Sequence, residues 1–132
     1  MCDMQEISNM IEVDVASMPQ FEVIEEIVYY DGIWEAWVRG DDKQDYLAKW
    51  ADRDEEYHRW FLIPVKAEDM KTYLEGKFEM CLFERPPETR IWVLDQNGEG
   101  FQRAYRVMTE DIPDGFGAMK GCFHDPEVTH DD

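Results

Sequence analysis

Between Phe21 and Val107 the chain consists of short runs of aromatic and β-branched residues separated by acidic, glycine-bearing breaks. This is the pattern of successive antiparallel strands. The most informative run is Tyr46 to Val65. Tyr46, Ala48 and Trp50 fall on one face of a predicted strand and Leu47, Lys49 and Ala51 on the other, because side chains alternate with a period of two. The acidic segment Asp52–Glu56 then turns the chain, and the return ends in Trp60-Phe61-Leu62-Ile63-Pro64-Val65. An unbroken apolar run of that kind suits a central strand covered on both faces, and Pro64 sits near its end, where a missing N–H costs the ladder least. Trp50, Trp60, Phe61, Leu62 and Ile63 are therefore expected in the core.

The remaining strands follow by the same reading. Phe21, Val23, Ile27 and Tyr29 alternate with Glu22, Ile24, Glu26 and Val28. Asp31-Gly32 is a turn signal, Ile33 to Arg39 carries Trp34 and Trp37, and Gly40-Asp41-Asp42 leads into Tyr46. Arg90 to Leu94 and Phe101 to Val107 flank a turn at Asn97-Gly98. Helical spacing occurs in three places. Met4, Ile7, Met10 and Ile11 predict a short amphipathic helix over 3–12, marginal by itself at that length. Met70, Tyr73 and Leu74 predict a second, closed by Gly76 at the C′ position. Phe78 to Phe83 predicts a third, ending before Pro86-Pro87. The expected fold class is α+β, an antiparallel meander of about six strands with a short helical insertion packed on one face.

Charge alters this picture at the ends of the chain. The 132 residues carry 31 acidic and 13 basic side chains, a net charge of -18, well beyond the magnitude of about 2 to 8 that keeps a small domain soluble. Residues 1–30 hold seven acids and no Lys or Arg, residues 31–106 hold 17 acids and 12 bases, and residues 107–132 hold seven acids and one base. The chain is thus expected to be a single domain over 1–132. It divides into an acidic N-terminal segment (1–20), a core (21–107) and an acidic, irregular C-terminal arm (108–132) with Pro113, Gly115, Gly117, Gly121 and Pro126. A field of this sign repels nucleic acid and anionic membranes and favours basic protein surfaces. With 44% hydrophobic residues the chain is far from a disordered acidic tail.

Catalytic and metal signatures are weak. Cys2, Cys81 and Cys122 are odd in number and widely spaced, which points to reduced thiols and a cytoplasmic setting rather than a disulfide framework. Gly98-Glu99-Gly100 suits a hairpin and has no following helix to cradle a phosphate. Cys122, His124 and Asp125 supply at most part of a zinc set, and His58 is a lone strand histidine. The Asp52, Asp54 and Glu56 alternation has neither the Gly nor the late Glu of a calcium loop. No cofactor and no metal is therefore expected, and the chain reads as non-enzymatic.

The series Tyr30-Asp31-Gly32, Tyr46-Leu47-Ala48, Trp60 to Val65, Leu74-Glu75-Gly76 and Trp92-Val93-Leu94-Asp95 resembles a family of small uncharacterised bacterial and phage domains. In those, a strand ending in Pro-Val precedes a short helix and another strand. The likeness spans roughly 21–107 and departs from the family in its aromatic load and in Lys66, where a Ser-type helix cap is usual. It implies the fold and a bacterial or phage context, and no activity.

Three functions fit. The first is an acidic binding module, a phage-type inhibitor that presents a nucleic-acid-mimicking surface to a nuclease or defence complex. Alternate residues of a strand lie about 6.6 Å apart, near the roughly 6 to 7 Å between phosphates of one nucleic-acid strand. The second is a plain adaptor domain, and the third a small hydrolase with an unrecognised site. The expected partner-binding residues are Asp52, Asp54, Glu55 and Glu56 at the hairpin tip, joined by Asp41 and Asp42 into one negative edge. Glu22, Glu25 and Glu26 stand in reserve.

Overall fold

The apolar runs of the chain's middle form strands, and each pairs with its sequence neighbour, since a short acidic turn leaves an antiparallel partner as the nearest one. The computed structural model describes residues 7–29, 33–79, 83 and 86–112. Its strands are β1 (Ile11–Val13), β2 (Phe21–Tyr29), β3 (Ile33–Gly40), β4 (Asp45–Arg53), β5 (His58–Val65), β6 (Arg90–Asn97) and β7 (Gly100–Met108). They form one sheet in the order β1-β7-β6-β5-β4-β3-β2. A single regular helix among the described residues, α1 (Ala67–Leu74), connects β5 to β6.

The α+β expectation is therefore corrected: the protein is mostly β, seven antiparallel strands with one short helix. The segment expected as a helix over 3–12 is extended where the structure describes its end. Ile11, Glu12 and Val13 pair with Arg106, Tyr105 and Ala104 of β7. The open edge of β7 offers a row of backbone partners, and a helix of under 12 residues cannot compete with them. Of the helix expected over 78–83, residues 80–82 lie outside the described residues, as does the Asp31-Gly32 turn. The core also reaches past 21–107. Ile7, Met18 and Ile112 are buried, and Thr109–Asp111 forms a 3-10 turn. The remainder of the expected arm, 113–132, lies outside the described residues.

β1 and β2 lie at opposite edges, yet only residues 14–20 join them. Laid flat, seven strands would separate the edges by roughly 29 Å, while eight extended steps reach roughly 27 Å and the 3-10 turn Val15–Ser17 shortens them. The sheet must curl toward this connection. The strap's Met18 is buried in one cluster with Ala36, Val38, Tyr46, Ala48, Leu62, Leu94 and Ala104, so these residues mark the inner, concave face. Gln20 and Asp41 tie the strap to the β3–β4 turn, the Asp41 N–H donating to the Gln20 carbonyl at 2.8 Å. A Cβ at Gly40 would displace the Asp42 carboxylate and press on Pro19 at 3.2 Å.

α1 covers the other face. Lys66 at its N-cap makes no side-chain cap, but Glu68 and Asp69 occupy the first turn, where carboxylates favour the helix dipole. Gly76 closes it with φ of 77°, its N–H bonded to Tyr73 O and that of Lys77 to Thr72 O, a Schellman ending. Met70 and Tyr73 seat on Leu47, Phe61, Ile63, Ile91 and Val93. Tyr73 stacks on Phe83 at 4.3 Å and donates a 2.6 Å hydrogen bond to Glu35. Phe61, Leu62 and Ile63 are buried as expected, whereas Trp50 and Trp60 are only half-buried. They lie on the inner face, where Trp60 packs against the cluster that holds Met18.

Candidate functional site

Several arginines are directed into the sheet rather than out from it. Arg59 alternates with Phe61 and Ile63 on the helix-side face and is 6% exposed. It donates from Nε and Nη2 to the two oxygens of Asp95 at 2.8 and 3.0 Å, the bidentate geometry that favours Arg over Lys. Arg103 Nη2 meets the same carboxylate at 2.9 Å, and its guanidinium lies 4.2 Å over Tyr57. Burial works against the charge on Arg59, but the hydrogen bond and attraction of Asp95 outweigh it and hold the guanidinium ionised. Arg106 lies 4.2 Å over Trp92. Arg39 holds Asp45 at 2.6 Å, and that bond, aided by Trp37 Nε1, keeps the Asp45 carboxyl below the usual range.

The expected acidic residues fall into three groups. Asp41 and Asp42 occupy the β3–β4 turn, and Asp52, Asp54, Glu55 and Glu56 the end of β4 and the β4–β5 turn. Consecutive turns of a meander lie at opposite ends of the shared strand, here nine residues long. The single edge expected from these six does not form. Several are also engaged locally. Asp54 Oδ1 accepts from the N–H groups of Tyr57 and Glu56 at 2.8 Å each, which lowers its pKa. Asp42 accepts from Gln44 N and from the Tyr46 hydroxyl, and Asp41 from Gln20 N. Burial and that Asp42 bond push the Tyr46 hydroxyl up to about 12.

Asp41 and Asp42 are exposed despite these bonds, and the expected carboxylates of the β2 edge and the tip face outward as well. Glu22, Glu25, Glu55 and Glu56 are exposed and Glu26 is half-buried. β2 does not alternate simply as its sequence suggests, because bulges interrupt its register with β3. Glu22 and Glu25 oppose Arg39 and Trp37, while Val23 and Glu26 oppose Val38 and Ala36. The bulge thus puts two carboxylates on the helix side and one on the inner side. β2 is an edge strand with Val23 at 49% and Ile24 at 39% exposure. Bulges and charges are the usual guards of such an edge.

The inner face holds what sequence reading missed. Beyond the strap, the concave surface leaves a groove of about 390 Å³. Its floor is Ala36, Val38, Ala48 and Leu62, and its walls are Phe21 and Val23 on one side and Trp60, Gln96 and Phe101 on the other. Ala36 and Ala48 are direct cross-strand partners, with Glu26 next in the same row on one side and Leu62 on the other. The available signal was alanine in two strands that elsewhere prefer large residues. Trp60 Nε1 donates to Gln96 Oε1 at 3.0 Å, fixing that wall. Nearby, Trp50 Nε1 donates to His58 Nδ1 at 3.0 Å.

Among the described residues no group of three metal-capable side chains occurs and no helix is long and apolar enough to cross a membrane. Cys122, His124 and Asp125 lie outside those residues. Comparison with models of protein families, with curated proteins and with solved structures finds no match.

Proposed function

We propose that the protein is a non-enzymatic acidic binding module that engages a basic surface of another protein through the carboxylates of β2 and the β4–β5 tip. The partner class that such a surface suits best is a nucleic-acid-binding nuclease or defence complex of a bacterial cell, occupied in place of its DNA or RNA, as a phage-encoded inhibitor would do. One observation carries the reading. Arg59 and Arg103 share the Asp95 carboxylate, and Arg103 and Arg106 lie over the Tyr57 and Trp92 rings, while Glu22, Glu25, Glu55 and Glu56 remain exposed. With a net charge of -18 the field is negative overall, although Arg39 opposes Glu22 and Arg53 adjoins the tip, and such a field favours fast, salt-sensitive association.

The test is capture from a bacterial lysate on immobilised protein, eluted with a salt gradient and followed by competition with the partner's nucleic acid. A partner with a basic surface should elute at moderate salt and be displaced by DNA or RNA. Changing Glu22, Glu25, Glu55 and Glu56 together to Gln should slow its association by about tenfold or more. Binding indifferent to salt and to the four substitutions would reject the mimic and leave a plain adaptor domain.

A further inference from the structure

We propose, resting on the acidic surface just described, that the edge of β2 takes a basic segment of its partner protein as an added antiparallel strand. Apolar residues of that segment lie beside Phe21 and Val23, and its lysines or arginines beside Glu22 and Glu25. The backbone is open there. The Asp41 N–H bonds to the Gln20 carbonyl, and next along the ladder Phe21 lies opposite Gly40, Glu22 opposite Arg39 and Val23 opposite Val38. Every second residue of an antiparallel strand turns its polar groups to a given neighbour. Gln20 and Glu22 therefore bond toward β3, while Phe21 and Val23 direct N–H and C=O outward. β2 ends the sheet, so among the described residues no strand meets those groups.

Exposed apolar surface gathers at the same edge. The exposed large hydrophobics among the described residues are Ile11, Val23 and Ile24, at 60, 49 and 39%, and all three lie in the sheet's two edge strands. β1 is only three residues long, which leaves β2 as the edge able to template a partner. Branched side chains opposite Phe21 and Val23 gain cross-strand contacts with them along the outer wall of the groove. Charge selects the occupant. A second copy pairing across this edge would bring Glu22, Glu25 and Glu26 of both chains together, and like charges facing each other destabilise a pair. A lysine or arginine there is attracted instead. Arg39 opposes Glu22 from the β3 side, but its Nε and Nη2 are held by Asp45 at 2.6 and 3.2 Å. The bulge after Val23 keeps the added strand short, its affinity coming from main-chain bonds and its specificity from alternate side chains.

The probes are short capped peptides alternating valine with lysine, the same with glutamate for lysine, and two lysine peptides N-methylated at every valine or at every lysine. Followed by amide NMR at low salt, the lysine peptide should slow hydrogen exchange at Phe21 and Val23 by about tenfold or more and leave Ile91 and Val93 unmoved. The glutamate peptide should bind about tenfold more weakly or worse. In the antiparallel register the valine N–H groups face β2, so methylating valine should abolish binding and methylating lysine should preserve it. Glu22→Gln with Glu25→Gln should weaken the lysine peptide by about fivefold. Val23→Pro removes an N–H that bonds to nothing in the sheet, a change that edge strands tolerate, and should abolish binding with an unchanged near-ultraviolet spectrum. If that variant does not fold, the exchange rates and the methylated peptides decide. Salt-sensitive binding indifferent to methylation, unchanged exchange at both amides, or full binding by folded Val23→Pro would overturn strand addition and leave the acidic-surface reading standing. No binding of the lysine peptide at millimolar concentration, or equal binding of the lysine and glutamate peptides, would overturn it as well, the latter removing the charge on which both rest.

Discussion

The two faces of the sheet share the same strands and reach opposite outcomes. The helix-side face is filled: Leu47, Ile63, Ile91 and Val93 are sealed by Met70 and Tyr73, and even its charges, Arg59 and Asp95, are paired out of solvent. The inner face has a smaller cluster, in which Met18 joins Ala36, Ala48 and Leu62, with half-buried side chains such as Phe21, Trp60 and Phe101 around it and a groove among them. Close packing is a property of interiors that must hold one structure. A face left partly unfilled is free to hold something else, so stability is expected to concentrate on one side and recognition on the other.

The difference breaks most visibly at Asp95. Asp95→Ala strands Arg59 and Arg103 beside an apolar core, and removing one member of a buried ion pair costs about 3 to 5 kcal/mol. Urea denaturation of that variant should show this loss in the midpoint with the slope retained. Replacing the whole set, Arg59→Met with Asp95→Leu and Arg103→Met, should recover much of it, because the cost lies in the orphaned charge rather than in the absence of a salt bridge. A triple variant no more stable than Asp95→Ala would mean that the ion network itself, not its desolvation balance, holds this end of the sheet.

A smaller contrast compares neighbours in sequence on opposite faces. Phe61 is 3% exposed against Ile63 and the helix, so Phe61→Ala should cost about 3 to 5 kcal/mol. Trp60 is larger but half-buried on the groove wall, and Trp60→Ala should cost about half as much. Equal losses would show that the inner face is as tightly packed as the other.

Much of this arrangement was legible in the alternation. The strands at Ile33, Tyr46, Arg90 and Phe101 begin within a residue of their predicted starts, and Gly76 ends α1 as its position suggested. The reason is that these strands alternate cleanly between acidic turns. β2 was misassigned because a bulge inserts a residue that period-two reading cannot see, so Ile24 was placed with Glu22 although Glu25 is its companion. β1 is three residues long and carries no period. The groove depends on Ala36 meeting Ala48 across strands, which register rather than composition decides. The buried charges left a trace that was passed over: Arg59 alternates with Phe61, and Asp95 with Val93.

The smallest expected effect separates the faces by pH, because adjacent residues of β4 point to opposite sides. Asp45 lies on the helix side, held below its ordinary pKa chiefly by the hydrogen bond from Arg39. The unfolded chain takes up that proton first, near the usual Asp value of about 3.9. Its contribution is therefore complete above that pH and lost as pH falls through the lower folded value. Tyr46 lies on the inner side, raised to about 12 by burial and by its bond to Asp42. The unfolded chain loses that proton first, near a pH of about 10, so its contribution is complete below that point and lost between there and the folded value. Urea midpoints followed from acid to alkali should fall at both ends. Asp45→Asn should flatten the acid limb alone and Tyr46→Phe the alkaline limb alone. If either substitution flattens both limbs, the two faces unfold through a shared electrostatic weakness, and the division between a packed side and a receptive side does not extend to their charges.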